Sequence, residues 1–143
     1  VQTCALPIFP TAEIVELHHD RKRDAPSGTA LETARRMAAA RGAHGLPPFG
    51  ASAREGDDDA ARGRRCSGVS VHSVRLPGLY AHQEVLLSGP GEVVALRHDM
   101  HGTEAFGPGL LAALRYAATA RGVARGLGFA LARPERPEPT QPE

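Results

Sequence analysis

The segment HHDRKRDAPSGTAL, residues 18–31, carries the clearest structural signals in this chain. Residues 13–17, which precede it, are a run of apolar and acidic residues and are typical of a β-strand. Asp24 to Thr29 have the composition of a loop that turns into a helix, with Ser27 as the candidate N-cap. The sequence therefore predicts a strand, a loop that carries two histidines and a lysine, and a helix.

The start of this helix is a candidate anion site. The first turn of a helix leaves its N–H groups unpaired and carries partial positive charge. Gly28 allows a ligand to approach that backbone closely, and Thr29 adds a hydroxyl donor. His18, His19 and Lys22 come just before it in the chain. The pattern predicts a carboxylate-binding site with proton donors beside it.

Two other interpretations of the same stretch stay open. A loop with basic residues before a capped helix is commonly just a solvated connection. Metal binding by His18 and His19 is a further alternative, although adjacent residues of a strand point to opposite faces and do not converge on one ion. Neither alternative is excluded by the sequence.

Composition restricts the class of protein. The chain has 143 residues, enough for one domain with a core, and a formal net charge of +1. It has no basic stripe with interleaved aromatics and no apolar run of about 20 residues, so we expect no nucleic-acid or membrane partner. Two cysteines, Cys4 and Cys66, suggest no disulfide framework. We expect a cytoplasmic protein.

The rest of the chain predicts an α+β fold, a small four-stranded mixed sheet with two helices on one face. We expect the first helix over residues 27–40, further strands over residues 69–75, 80–88 and 92–98, and a second helix from Gly107, with Leu110 and Leu114 in its core-facing stripe. Residues 46–66, with the acidic triplet 57–59, are predicted to form a long mobile loop. Two helices cannot cover both faces of the sheet, so we expect subunits to associate through it.

Three blocks of sequence resemble one known family. They are residues 13–31, residues 71–85 and residues 96–110, in the right order and at compatible spacing. The chain from about residue 9 to residue 131 is similar to dihydrodipicolinate reductase, also called 4-hydroxy-tetrahydrodipicolinate reductase. The resemblance implies an NAD(P)H-dependent oxidoreductase of lysine biosynthesis through diaminopimelate.

The resemblance also implies roles for individual residues. His18 matches the family's proton donor and acceptor, and Lys22 matches its second proton donor. His19 matches a substrate contact, and Ser27, Gly28 and Thr29 match the segment that holds a substrate carboxylate. The implied substrate is a small cyclic imine-type dicarboxylate, in which hydride addition leaves a carbon that must be protonated.

The sequence also departs from the family pattern. No G-x-G-x-x-G turn follows a predicted strand, so NADPH or NADH would be bound by an N-terminal domain that this chain does not contain. Thr103 stands where the family usually has an arginine. We expect residues 1–8 to lie outside the family, residues 9–132 to form the C-terminal-like domain, and residues 133–143 to form a disordered proline-rich tail.

These departures leave two functional hypotheses. The first is the substrate-binding and catalytic half of the reductase, which in the family forms tetramers through its sheet and would be inactive on its own. The second is a catalytically incompetent module that binds a dicarboxylate or serves in assembly.

Overall fold

A computed structural model describes residues 9–50 and residues 61–131. The predictions for Cys4, the acidic triplet 57–59, the N-terminal segment 1–8 and the tail 133–143 concern residues outside the described ranges. The elements, in chain order, are β1 (Thr11–His18), α1 (Gly28–Ala43), β2 (Arg64–Cys66), β3 (Val69–Arg75), β4 (Ala81–Gly89), β5 (Glu92–Met100), a 3-10 helix (Thr103–Phe106), α2 (Gly107–Ala117) and α3 (Gly128–Leu131).

The strands form one mixed sheet in the order β2-β3-β1-β4-β5. Strand β1 is central, parallel to β3 and antiparallel to β4. A parallel pair needs a crossover connection, and α1 belongs to the connection between β1 and β3. The mixed sheet and its helices confirm the predicted α+β class.

The hydrophobic core beneath α1 lies between this helix and one face of the sheet. Residues of β1 alternate between the two faces, so Ala12 and Ile14 are buried while Glu13 and Val15 between them are only half-buried. The buried apolar cluster consists of Phe9, Ala12, Ile14, Ala30, Ala34, Met37, Phe49, Val69, Val71, Val85 and Leu87. Among residues 9–50 and 61–131, the opposite face of the sheet contributes nothing to this cluster.

Within the part of the chain that the structure describes, the sheet has five strands, one more than the four that the sequence predicts. The additional strand, β2, falls in the segment assigned to a loop, and it pairs antiparallel with β3 through the register Cys66↔Val69. Ser67 and Gly68 connect the two strands, with φ angles of 52° and 85°. Two successive residues with positive φ are characteristic of the tight hairpin turn whose twist matches that of the strands.

Helix α1 is longer than predicted and ends at Ala43 instead of residue 40. The side chain of Arg41 is buried in its last turn, where Nη1 donates to the carbonyl of Phe9 at 2.7 Å and Nε donates to the carbonyl of Pro47 at 2.8 Å. These contacts stabilise the final turn and offset the low helix propensity of Gly42.

The chain divides into two compact units, and the second begins at Gly102. Helix α2 belongs to this unit, and Leu110 and Leu114, predicted as core-facing, are 59% and 60% exposed. The helical spacing of the leucines correctly gives one apolar face, but spacing carries no information about what covers that face. In the described ranges, no helix has the length and apolar character needed to cross a membrane.

Candidate functional site

The histidine-rich loop begins where β1 ends. His18 is the last residue of the strand, and the backbone N–H of Lys22 donates to the carbonyl of His19 at 3.1 Å, which turns the chain. Helix α1 begins with Ser27 as its N-cap, because the Ser27 Oγ accepts from the backbone N–H of Ala30 at 3.2 Å. The predicted cap is therefore confirmed.

A buried carboxylate lies at the centre of this junction. Glu16 is fully buried, and Arg75 of β3 binds it with two nitrogens, Nη2 to Oε1 at 2.7 Å and Nη1 to Oε2 at 2.9 Å. The backbone N–H of Ser27 donates to Oε1 at 3.2 Å, and Nδ1 of His18 lies 2.6 Å from Oε2. Glu16 thus joins the strand end, the helix start and β3.

The pKa of Glu16 is the result of opposing effects. Burial by itself raises the pKa of this carboxyl, but hydrogen bonds from Arg75, Ser73 and His18 outweigh burial and hold the pKa below its ordinary value of 4.5. Glu16 is therefore ionised at neutral pH and can only accept hydrogen bonds.

Lys22 contacts a second carboxylate, that of Asp24. The Lys22 Nζ lies 2.8 Å from Oδ1 of Asp24. The pKa of Asp24 is lowered, first by this hydrogen bond from Lys22 and also by one from the backbone N–H of Gly28. Arg75 reaches the same residue, since its Nη2 donates to the Asp24 carbonyl at 2.7 Å. A carboxylate at the first turn of α1 therefore contacts both Lys22 and the helix backbone.

The structure places four of the six predicted site residues in one hydrogen-bonded network: His18, Lys22, Ser27 and Gly28. The other two lie at its edge. Thr29 is exposed, and the Nδ1 atom of His19 is buried with no hydrogen-bond partner among the described residues. A groove of about 340 Å³ opens nearby, and none of the six lines it; its lining residues are Ala25, Pro26, Gly63, Arg64, Val71 and Ser73.

The network is held together by Glu16, Asp24 and Arg75, for which the sequence predicts no role in the site. A signal for Glu16 was present: it follows Ala12 and Ile14 at every second position of β1, so the apolar face of the strand carries a carboxylate. A buried carboxylate requires a charged or hydrogen-bonded partner. The identity of that partner, 59 residues away in the chain, needed the sheet register, which pairs His18 with Arg75.

The residues that the structure describes form neither a metal-binding cluster nor the glycine-rich turn of a dinucleotide site. Residues 9–50 and 61–131 contain no group of three or more His, Cys, Asp or Glu side chains arranged to hold a metal ion. The glycines that open α2 and α3 follow a 3-10 helix and a bend, not a strand, so neither forms the strand–turn–helix cradle of a dinucleotide site. The described residues do not fit a nicotinamide dinucleotide.

Fold and junction together define a class: an α+β domain in which a histidine-rich loop joins the central strand to the N-terminus of a packed helix. The family model described as "Dihydrodipicolinate reductase, C-terminus" matches residues 3–127. The chain belongs to the dihydrodipicolinate reductase family and corresponds to its C-terminal part. The resemblance drawn from the three sequence blocks is confirmed.

Individual relatives agree with this assignment. The 4-hydroxy-tetrahydrodipicolinate reductase of Beutenbergia cavernae is 52% identical over 123 residues, covering 86% of this chain and 49% of the relative. That of Moorella thermoacetica is 50% identical over 119 residues, covering 83% of this chain and 43% of the relative. The chain therefore spans about half the length of the curated relatives it matches.

A solved structure is similar in fold as well as in sequence. The dipicolinate-bound dihydrodipicolinate reductase from Paenisporosarcina sp. TG-14 superimposes with a TM-score of 0.68 at 40% identity. The match covers 80% of this chain and 42% of that protein.

Proposed function

We propose that this chain is the substrate-binding and catalytic C-terminal part of a 4-hydroxy-tetrahydrodipicolinate reductase of lysine biosynthesis. The observation that carries the proposal is the junction itself, where His18, Lys22 and the first turn of α1 share one network. Its substrate is a small cyclic dicarboxylate, in line with the dipicolinate that the Paenisporosarcina protein binds.

The helix start supplies the anion site of this proposal. The carboxylate of Asp24, which contacts Lys22 and the backbone N–H of Gly28, supports this proposal, because a substrate carboxylate would need the same kinds of donor. A substrate carboxylate would bind the backbone at Gly28 and Thr29 and the hydroxyl of Thr29, which is exposed. This contact orients the substrate ring, and His19 provides a further contact beside it.

His18 and Lys22 carry the acid–base chemistry. Bound by an N-terminal domain, NADPH or NADH would supply the hydride. His18 would donate the proton that the substrate gains at carbon, and Lys22 would be the second proton donor. The nicotinamide would be bound by an N-terminal domain, because the described residues do not fit it.

The free face of the sheet serves subunit association. Alternate residues on this face, among them Val15, Leu17 and Leu86, are only half-buried within the chain. We propose that a second copy covers them and that the assembled enzyme is a tetramer. The free thiol of Cys66 agrees with a reducing compartment, and we assign the protein to the cytoplasm.

Turnover tests the proposed function directly. The chain is joined to the cofactor-binding N-terminal half of the Beutenbergia cavernae relative, and substrate-dependent oxidation of NADPH is followed by absorbance. His18→Ala and Lys22→Ala should each lower kcat by about 100-fold, as loss of a general acid does. His44→Ala, at the other end of α1, is the control and should keep the wild-type kcat.

Two results would contradict the proposal. Unchanged turnover in both variants would remove the assigned catalytic roles. A joined protein that binds the dicarboxylate but never oxidises NADPH would instead support the hypothesis of a binding or assembly module.

A further inference from the structure

The carboxylate of Glu16 occupies an environment that few carboxylates tolerate. It is completely buried, on the same face of β1 as Ile14. A lone charge there would be strongly unfavourable, as it is for any buried ion without a partner. The two-nitrogen contact from Arg75, at 2.7 and 2.9 Å, offsets this penalty. The contact with Arg75 therefore keeps the carboxylate of Glu16 ionised, two residues before the end of β1.

The fixed charge determines how His18 is protonated. An ionised carboxylate accepts hydrogen bonds and donates none, so the 2.6 Å contact requires a hydrogen on Nδ1 of His18. Nε2 is then the nitrogen that gains and loses the proton. Because the His18 side chain is 14% exposed and Glu16 is fully buried, Nδ1 is directed to the interior, and Nε2 is the nitrogen that the proposed function assigns to the substrate.

We infer that Glu16 and Arg75 are positioning residues for the proton donor: Arg75 fixes the carboxylate of Glu16, and Glu16 fixes the ring orientation and the Nδ1–H tautomer of His18. Glu16 is fully buried, and both of its carboxylate oxygens are engaged by Arg75, so the proposed role of the pair acts through His18. The inference rests on the proposed function, in which His18 protonates the substrate, and it adds the device that selects the nitrogen that does so. Carboxylates that orient a catalytic imidazole in other enzymes act in the same way.

The chain contains a matched pair for comparison on the other face of the same strand. Glu13 also contacts a histidine, since its Oε2 lies 2.8 Å from His72, and Arg62 donates to its Oε1 at 2.8 Å. That contact uses Nε2 of the histidine, and Glu13 is 30% exposed. The cluster of Glu13, His72 and Arg62 therefore has the same residue types as the Glu16 network, but it lies outside the proposed active site.

The tautomer of His18 tests the inference in the chain alone. In a long-range ¹H–¹⁵N spectrum of the labelled wild-type chain at alkaline pH, where imidazoles are neutral, His18 should carry its hydrogen on Nδ1. Glu16→Gln should abolish this preference, and Glu13→Gln should alter only the signals of His72. A wild-type His18 protonated on Nε2 would overturn the inference without any variant, even if Glu16→Gln fails to fold.

Kinetics of the joined reductase provide the second readout. Glu16→Gln should lower kcat by roughly tenfold or more and change KM less, because a misoriented imidazole slows proton transfer without removing substrate contacts. A wild-type kcat in Glu16→Gln would overturn the inference. Absence of turnover in the wild-type joined protein would contradict the proposed function, whereas the tautomer of His18 is measured independently of turnover.

Discussion

Nδ1 of His18 lies 2.6 Å from Oε2 of Glu16, two residues earlier on the same strand. Side chains at this spacing lie on one face of a strand, so the contact follows from the pleat of β1 itself. Glu16 is buried under α1, while His18 lies beyond it at the strand end. Strand β1 therefore places the carboxylate of Glu16 inside the core and the imidazole of His18 at the edge of the core.

Removal of Glu16 should strongly destabilise the first unit. Glu16→Ala leaves Arg75, which is 17% exposed, without its carboxylate partner, and we expect a loss of about 3–5 kcal/mol in the free energy of unfolding. Glu32→Ala is the control, because Glu32 also contacts two arginines at 2.7 Å but on the exposed surface of α1. Urea unfolding should show a much smaller effect for Glu32; equal losses would contradict the role of burial.

The folded chain should lose stability as the pH falls below about 4.5, because Glu16 is then protonated. The pKa of Glu16 is lowered in the folded state, so its contribution is complete above the ordinary pKa of 4.5 and is lost as pH falls through the folded pKa. Melting temperatures measured from neutral pH downward should fall more steeply below about pH 4.5 in the wild type than in Glu16→Gln. Glu92→Gln, at the exposed start of β5, controls for the loss of one carboxylate. Parallel curves for the wild type and Glu16→Gln would refute this prediction.

Thr29 should affect binding of the substrate more than its conversion. Thr29→Val removes the hydroxyl that we assign to a substrate carboxylate, a contact present before and during the reaction, so KM should rise with kcat nearly unchanged. Thr33→Val, one turn later in α1, is the control, since the Thr33 hydroxyl already donates to the Thr29 carbonyl at 2.9 Å. A pure kcat effect of Thr29→Val in the joined reductase would contradict the assignment.

The free face of the sheet should mediate association. Light scattering of the chain at tens of micromolar should give a mass greater than one chain. Val15→Lys places a charge on this face and should shift the mass towards the monomer, whereas Ala39→Lys, on the exposed surface of α1, should not. A monomeric wild type would exclude association through the sheet.

Much of the fold could be predicted because apolar alternation is local. The strand over residues 69–75 was predicted with its observed bounds, since Val69 and Val71 alternate with the polar residues Ser70 and His72. Strand β2 could not be found in this way, because two of its three residues are arginines and its apolar pattern is too short. The dipeptide Ser67-Gly68 was its usable signal, as Ser-Gly is a common turn.

The site could be predicted only in part. The loop chemistry of His18, Lys22 and Ser27 is contiguous in the sequence, so spacing and capping rules apply to it. The contact of Glu16 with Arg75 joins residues of different strands and depends on the parallel register of β1 and β3. Register is a property of the folded sheet, and no local pattern contains it.

Binding of dipicolinate to the chain itself is the direct test of the proposal that the start of α1 holds the substrate carboxylate. Titration of the ¹⁵N-labelled chain with dipicolinate should produce saturable shifts in the amide signals of Gly28 and Thr29, and Lys22→Met should weaken the binding. Benzoate, with one carboxylate, serves as the control and should bind more weakly. Saturable shifts at Gly28 and Thr29 would establish the start of α1 as the dicarboxylate site. Dipicolinate that leaves these two amides unshifted would contradict the account.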